Sequence, residues 1–155
     1  MRGVLYAMIY LNYLPPAMLN IYRSQNAGQN CIGIERLIVH RSQYDDLYEL
    51  VTEGVMKMRL GSVMTPTSEG YVPPVDCGSM ISGERFTGIE GLVTAAENEG
   101  AQVEGGKRWK HFYHEHGTYF GPTVVGLVDR TMEISRTERT CPTIWCLTVS
   151  PHSIS

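Results

Sequence analysis

Glu35-Arg36-Leu37-Ile38-Val39 is followed, after His40-Arg41, by Ser42-Gln43-Tyr44-Asp45-Asp46-Leu47-Tyr48-Glu49-Leu50-Val51-Thr52-Glu53-Gly54-Val55-Met56-Lys57-Met58-Arg59. The first five residues read as a short buried strand, with Leu37-Ile38-Val39 as its apolar run. Ser42 stands where an N-cap belongs, and Asp45 places negative charge in the first turn, as helix starts prefer. Tyr44, Leu47, Tyr48, Val51, Val55 and Met58 recur in steps of three or four, which makes one stripe on a helix running to about Arg59. Gly61 is placed to end it. A strand that passes directly into an amphipathic helix belongs to an α/β layer.

The pattern continues downstream. Residues 62–78 hold Pro66, Gly70, Pro73, Pro74 and Gly78 and read as a loop. A second helix is predicted from Gly83 to Glu99, with Phe86, Ile89, Val93 and Ala96 as its stripe and Gly100 as its stop. Gly88 and Gly91 weaken it, each by roughly 1 kcal/mol against alanine. Ala101 to Glu104 is a strand candidate closed by Gly105-Gly106, and Lys107 to His116 is a basic, aromatic loop. Tyr119 to Val128 is a further strand candidate with Pro122 near its beginning. From Arg139 onward the periodicity dissolves; Ile144 and Trp145 are apolar, Cys141 and Cys146 read as free thiols in a disordered tail, and Ser150 to Ser155 looks frayed. Strand, helix, helix, strand, strand implies an α/β fold with partly parallel strands.

Composition sets the outer limits. The chain has 155 residues, enough for one domain, and 43% hydrophobic against 19% charged residues excludes wholesale disorder. A net charge of −3 gives no electrostatic footprint for nucleic acid. Cys31, Cys77, Cys141 and Cys146 are irregularly spaced with no CxxC pair, so an intracellular, cytoplasmic setting is expected rather than a disulfide framework. The apolar run Val4 to Tyr13 is interrupted by Asn12 and followed by Pro15-Pro16. It is half the roughly 20 residues a bilayer span needs, so a buried strand or short helix is the favoured reading and a membrane anchor the minor one.

The chemistry centres on Cys31. It follows Ala27-Gly28-Gln29-Asn30 and precedes an apolar strand. A glycine beside a polar pair suits a tight loop whose amides can face a substrate oxygen. A thiolate there could attack a carbonyl. From the residues alone, a buried and inert cysteine is the commoner outcome beside a strand.

Gly28-Gln29-Asn30-Cys31, continuing to Glu35-Arg36, resembles the active-site segment of the NAD(P)-dependent aldehyde dehydrogenases. Three further stretches follow in the order that family has them: Asp76-Cys77-Gly78-Ser79-Met80-Ile81-Ser82, then Glu99-Gly100-Ala101 with Gly105-Gly106, then Gly117-Thr118-Tyr119-Phe120-Gly121-Pro122-Thr123. The Cys-Ile-Gly-Ile-Glu-Arg version is similar to a fungal branch. The resemblance implies that Cys31 is a nucleophile that adds to the aldehyde carbon. A hydride then passes to the nicotinamide of NAD or NADP, and water hydrolyses the resulting thioester. Glu138 falls where the family's ribose-binding glutamate belongs, but Arg139-Thr140-Cys141-Pro142 lacks the Phe and Gly that normally follow.

The resemblance also shows what this chain does not match. Only 30 residues precede Cys31, and they hold no Gly-rich turn for a dinucleotide. The family's general-base glutamate and oxyanion-hole asparagine have no counterpart. Residues 1–24 and 139–155 are read as unmatched segments around a catalytic-domain fragment at 25–138, as in a truncated or misspliced gene.

Two other features carry less. His111, His114 and His116 could share a metal ion, but no cysteine joins them at ligand spacing and a solvated loop is expected, with no metal. Lys107, Arg108 and Lys110 around Trp109 are too few charges for single-stranded nucleic acid. The expected fold is therefore α/β, a partial aldehyde dehydrogenase catalytic domain of strands with flanking helices, incomplete at both ends. The expected partners are an aldehyde and, as the alternative to catalysis, a full-length homologous subunit.

Overall fold

The computed structural model describes residues 6–8, 25–29, 36–64, 66, 69–111, 117–137 and 144–149. Its centre is a five-stranded sheet. In chain order the strands are β1 (Tyr6–Met8), β2 (Arg36–Val39), β3 (Gln102–Glu104), β6 (Thr123–Gly126) and β7 (Ile144–Val149). In space they run β1-β2-β7-β6-β3. The first four in that order are mutually parallel, and β3 pairs antiparallel with β6 at one edge. A small ribbon forms beside the sheet from β4 (Arg108–Trp109) and β5 (Tyr119–Phe120).

Helix α1 spans Tyr44–Met56 and helix α2 spans Phe86–Asn98. A single helical turn, α3, covers Glu133–Arg136. The apolar stripes expected for the two long helices are their buried faces. Tyr44, Leu47, Val51 and Val55 of α1 pack with Leu37, Val39, Val124, Trp145 and Leu147. Phe86, Ile89, Val93 and Ala96 of α2 pack with Val125, Ile144 and Cys146 on the opposite side. Alternate residues of β7 thus feed two cores, so the sheet is covered on both faces, as parallel strands require. Burying each of these large side chains stabilises the fold by about 1.5–3 kcal/mol.

Helix ends differ from expectation for identifiable reasons. Ser42 does not cap α1. A 3-10 turn at Arg41–Gln43 comes first, and the side chain of His40 accepts the Ser42 backbone N–H at 3.3 Å. α1 then stops at Met56, short of Gly61, whose N–H donates instead to the Cys77 carbonyl at 3.2 Å. α2 does end at Gly100, which sits at φ +98°. The Gly100 and Ala101 N–H groups return to Glu97 and Ala96 carbonyls at 3.0 and 2.9 Å, satisfying two of the carbonyls a helix end leaves open.

Three strand expectations are corrected. The single strand from Tyr119 to Val128 is two strands in different sheets. Pro122 has no N–H to donate, and Gly121 N–H turns away to the Lys107 carbonyl at 2.8 Å. The loop from Lys107 is in part strand β4, held to β5 at Arg108↔Phe120 and Trp109↔Tyr119. Cys146 lies in no disordered tail: Ile144–Val149 is the middle strand of the sheet, and Cys146 within it is 1% exposed.

Candidate active site

Cys31, Asn30 and Glu138 lie outside the described residues. What the structure places is the chain on either side of them. Ahead of Cys31 is a turn, Gln25–Gly28, of unusual handedness. Asn26, Ala27 and Gly28 stand at φ +53°, +53° and +76°. Left-handed backbone costs a non-glycine residue roughly 1–2 kcal/mol, so Asn26 and Ala27 need outside support. Ala27 receives it by packing: its side chain is 4% exposed and belongs to the core on the α2 side.

Gln29 supplies the rest. Its backbone N–H and its Nε2 both donate to the Asn26 carbonyl at 3.0 Å. Its Oε1 accepts the backbone N–H of Ile81 at 3.0 Å, a link across 52 residues of sequence. The Ile81 segment is itself fixed, because Met80 N–H donates to the Thr118 carbonyl at 2.7 Å and the Thr118 hydroxyl donates back to the Met80 carbonyl.

Behind Cys31, Arg36 opens β2 with only 6% of its surface exposed. Its Nη2 donates to the Thr137 carbonyl at 2.9 Å. Thr137 immediately precedes Glu138, so the segments leading from Cys31 and into Glu138 are tied to each other. A cleft of about 460 Å³ lies beside this contact, lined among others by Arg36 and Ile38 of β2, Thr148 and Val149 of β7, and Asp129, Arg130 and Arg136. Three arginines against one carboxylate make the cleft electropositive. Asp129 stays ionised there: the Thr131 backbone N–H and then its hydroxyl hold its carboxyl below the usual range.

Cys77 and Cys146 are both buried. His111 packs in an aromatic group with Trp109 and Tyr119, at ring-centroid distances of 5.5 Å from each. His114 and His116 lie outside the described residues. Among the described residues no three His, Cys, Asp or Glu side chains are grouped to hold a metal ion, and no helix is long and apolar enough to cross a membrane. Arg108, read as part of a basic patch, is engaged: it forms an ion pair with Glu90 at 2.9 Å and lies 5.6 Å from the Phe86 ring centroid.

A nicotinamide dinucleotide needs a glycine turn between a strand and a helix N-terminus to cradle its pyrophosphate. The described residues do not fit that need. Gly105-Gly106 joins two strands, β3 and β4, and α1 begins with Asp45 and Asp46, whose charges repel phosphate. The roles of Gln29, Ile81, Arg36 and Thr137 escaped the sequence reading because their contacts join distant parts of the chain. Positive backbone angles at Asn26 and Ala27 have only a weak signal, the tolerance of Asn for that region.

A model of the aldehyde dehydrogenase family matches residues 18–152. An aldehyde dehydrogenase-like protein of Saccharomyces cerevisiae is 39% identical over 115 residues, which are 74% of this chain and 17% of that protein. Another, from Schizosaccharomyces pombe, is 40% identical over 118 residues, 76% of this chain and 21% of that protein. These yeast relatives are consistent with the fungal branch expected from the segment at Cys31. Betaine aldehyde dehydrogenase of Staphylococcus aureus, solved in complex with NAD+, superposes with a TM-score of 0.79 at 26% identity, covering 96% of this chain and 29% of that one. The chain thus spans about a fifth of the length of these curated relatives, and on the family match over most of its residues it belongs to the aldehyde dehydrogenase family.

Proposed function

We propose that Cys31 is the thiol nucleophile of an oxidoreductase that converts an aldehyde to a carboxylic acid through a cysteine thioester. The observation that carries this reading is the left-handed turn at Asn26–Gly28, held from both sides directly ahead of Cys31. Backbone strain that packing and hydrogen bonds sustain is characteristic of sites where geometry serves chemistry. The thiolate of Cys31 forms a C–S bond to the aldehyde carbon, and the carbonyl π pair moves to oxygen. Only after that adduct lost a hydride to an acceptor would a thioester stand there for water to cleave, releasing the acid and the thiol. In this family that acceptor is a nicotinamide cofactor, for which the described residues form no cradle. By the same resemblance Glu138 contacts the cofactor's ribose, and Arg36 holds the neighbouring Thr137.

The test is turnover. The purified chain is mixed with NAD or NADP and a panel of aldehydes, and the absorbance of the reduced cofactor is followed. Turnover that Cys31→Ala abolishes supports the proposal; turnover that survives the substitution overturns Cys31 as the nucleophile. A second reading is favoured by the lack of a dinucleotide cradle among the described residues: this chain is catalytically silent and at most associates with a full-length homologous subunit. No turnover by the chain alone, with co-purification on a full-length relative, is the result that reading expects.

A further inference from the structure

We infer that Gln29 is a positioning residue for Cys31, its carboxamide fastening the strained turn before the nucleophile to the backbone at Ile81. The inference rests on Cys31 being the nucleophile. Gln29 stands two residues before Cys31 in the sequence and is the last described residue ahead of it. Both ends of the carboxamide are put to use. Nε2 donates to the Asn26 carbonyl and Oε1 accepts from Ile81 N–H, both at 3.0 Å.

The geometry makes this more than local turn chemistry. A left-handed run over Asn26 and Ala27 relaxes toward the right-handed or extended regions unless opposed. The Ala27 side chain anchors it in the core, but one packed methyl does not set the direction in which the chain leaves the turn. The Ile81 link does, because Ile81 belongs to a segment doubly bonded to Thr118. The turn is thereby referenced to the β5 side of the molecule rather than to its own neighbours alone. Asn26 Nδ2 adds a longer contact of 3.4 Å to the Gln29 carbonyl, closing the turn on itself.

This predicts a division of labour between the two ends of the carboxamide. Gln29→Met removes both bonds. Gln29→Glu keeps the acceptor for Ile81 N–H, replaces the donor to Asn26 with an acceptor, and adds a negative charge that by itself disfavours a thiolate two residues along. The acceptor is the end that references the turn to the rest of the fold, so Gln29→Glu retains most of the positioning.

The experiment is alkylation of the full chain with iodoacetamide, read cysteine by cysteine by mass spectrometry, together with hydrogen exchange at the Ile81 amide. In the unmodified sequence Cys31 reacts faster than Cys77 and Cys146. Gln29→Met is expected to slow Cys31 at least about tenfold while Cys77 and Cys146 stay as slow as before, and to speed exchange at Ile81. Gln29→Glu is expected to restore the Ile81 protection and, with rates compared at a pH high enough to ionise the thiol in every variant, the Cys31 rate. A fold-wide loosening would instead expose Cys77 and Cys146 together, and that result overturns the inference. Fast Cys31 in both the unmodified chain and Gln29→Met also overturns it, while leaving Cys31 as the nucleophile. Slow Cys31 in the unmodified chain overturns the nucleophile reading and this inference with it.

Discussion

The phenolic oxygen of Tyr44 accepts the backbone N–H of Leu127, joining the first turn of α1 to the residue that follows β6. Leu127 stands at φ +54°, a conformation a leucine does not hold unaided. Beneath it, Gly126 leaves room for the pair of tyrosines: a Cβ there would come within 2.3 Å of Tyr48 Cε2 and 2.8 Å of Tyr44 Oη. Tyr44→Phe deletes the acceptor and is expected to lower stability by about 1 kcal/mol, since Leu127 is half-exposed and water repairs part of the loss. A denaturant midpoint that falls with an unchanged slope checks it.

The same tyrosine gives the protein an alkaline limit. Burial pushes the Tyr44 phenol up from 10.0 to about 12, against the pull of the Leu127 N–H in the other direction. The fold therefore favours the neutral phenol. Its contribution is complete below pH 10 and is lost as pH rises from there through about 12. Measured at about pH 9 and about pH 11, the stability difference between the unmodified chain and Tyr44→Phe is expected to shrink at the higher value. A constant difference would count against it.

An acid limit sits at the neck of the proline-rich loop. Arg59 bonds both carboxylate oxygens of Asp76, at 2.7 and 2.8 Å, and the Arg59 backbone N–H adds a third bond at 2.9 Å. The guanidinium first, then that N–H, holds the Asp76 carboxyl down at about 2, against 3.8 unperturbed. A depressed carboxyl stabilises the fold above its unperturbed value and ceases to do so as pH falls from about 4 to about 2. Asp76→Asn is expected to flatten the loss of stability across that window, read from urea midpoints along a pH series.

Glycines at two kinds of position should respond in opposite senses. Gly88 and Gly91 are exposed on α2, and a Cβ at either meets nothing within 4 Å. Alanine at each is expected to stabilise by about 1 kcal/mol, additively, raising the melting temperature by roughly 3 °C apiece.

Gly105 is the contrary case. It stands at φ +87° and its Cβ would lie 2.2 Å from the Pro122 carbonyl oxygen, which is backbone and cannot swing away. Gly105→Ala is expected to cost at least about 2 kcal/mol. Gly70→Ala is the control: it has φ +77° but open space around it, and should cost only the backbone term of about 1 kcal/mol. Thermal unfolding of the two variants side by side separates steric from conformational cost.

The helices were legible because their signal is local. Leu47, Val51 and Val55 fall on one face by spacing alone, and that face is buried. β7 was not, although Ile144-Trp145-Cys146-Leu147 is the continuous apolar run of a strand covered on both faces. The break in family pattern at Arg139–Cys141 hid a run that should have been read on its own terms. Pro122 was seen but not given its consequence, which is that a residue without an N–H divides a strand. Around the candidate site, Gly28-Gln29 and Arg36 were visible as motif letters, while their partners Ile81 and Thr137 lie 52 and 101 residues away. No periodicity or cap rule reaches over such spans.

The place of β7 also bears on how the sheet is assembled. Among the described strands it is the last in chain order and the middle one in space. It alone joins the pair β1–β2 to the pair β6–β3, so until Ile144–Val149 inserts, the facing edges of β2 and β6 have no partner in this sheet. An edge open in that way can recruit another chain as readily as its own missing strand. Substitutions that delay the insertion of β7 are therefore expected to lower refolding yield even where the finished molecule tolerates them.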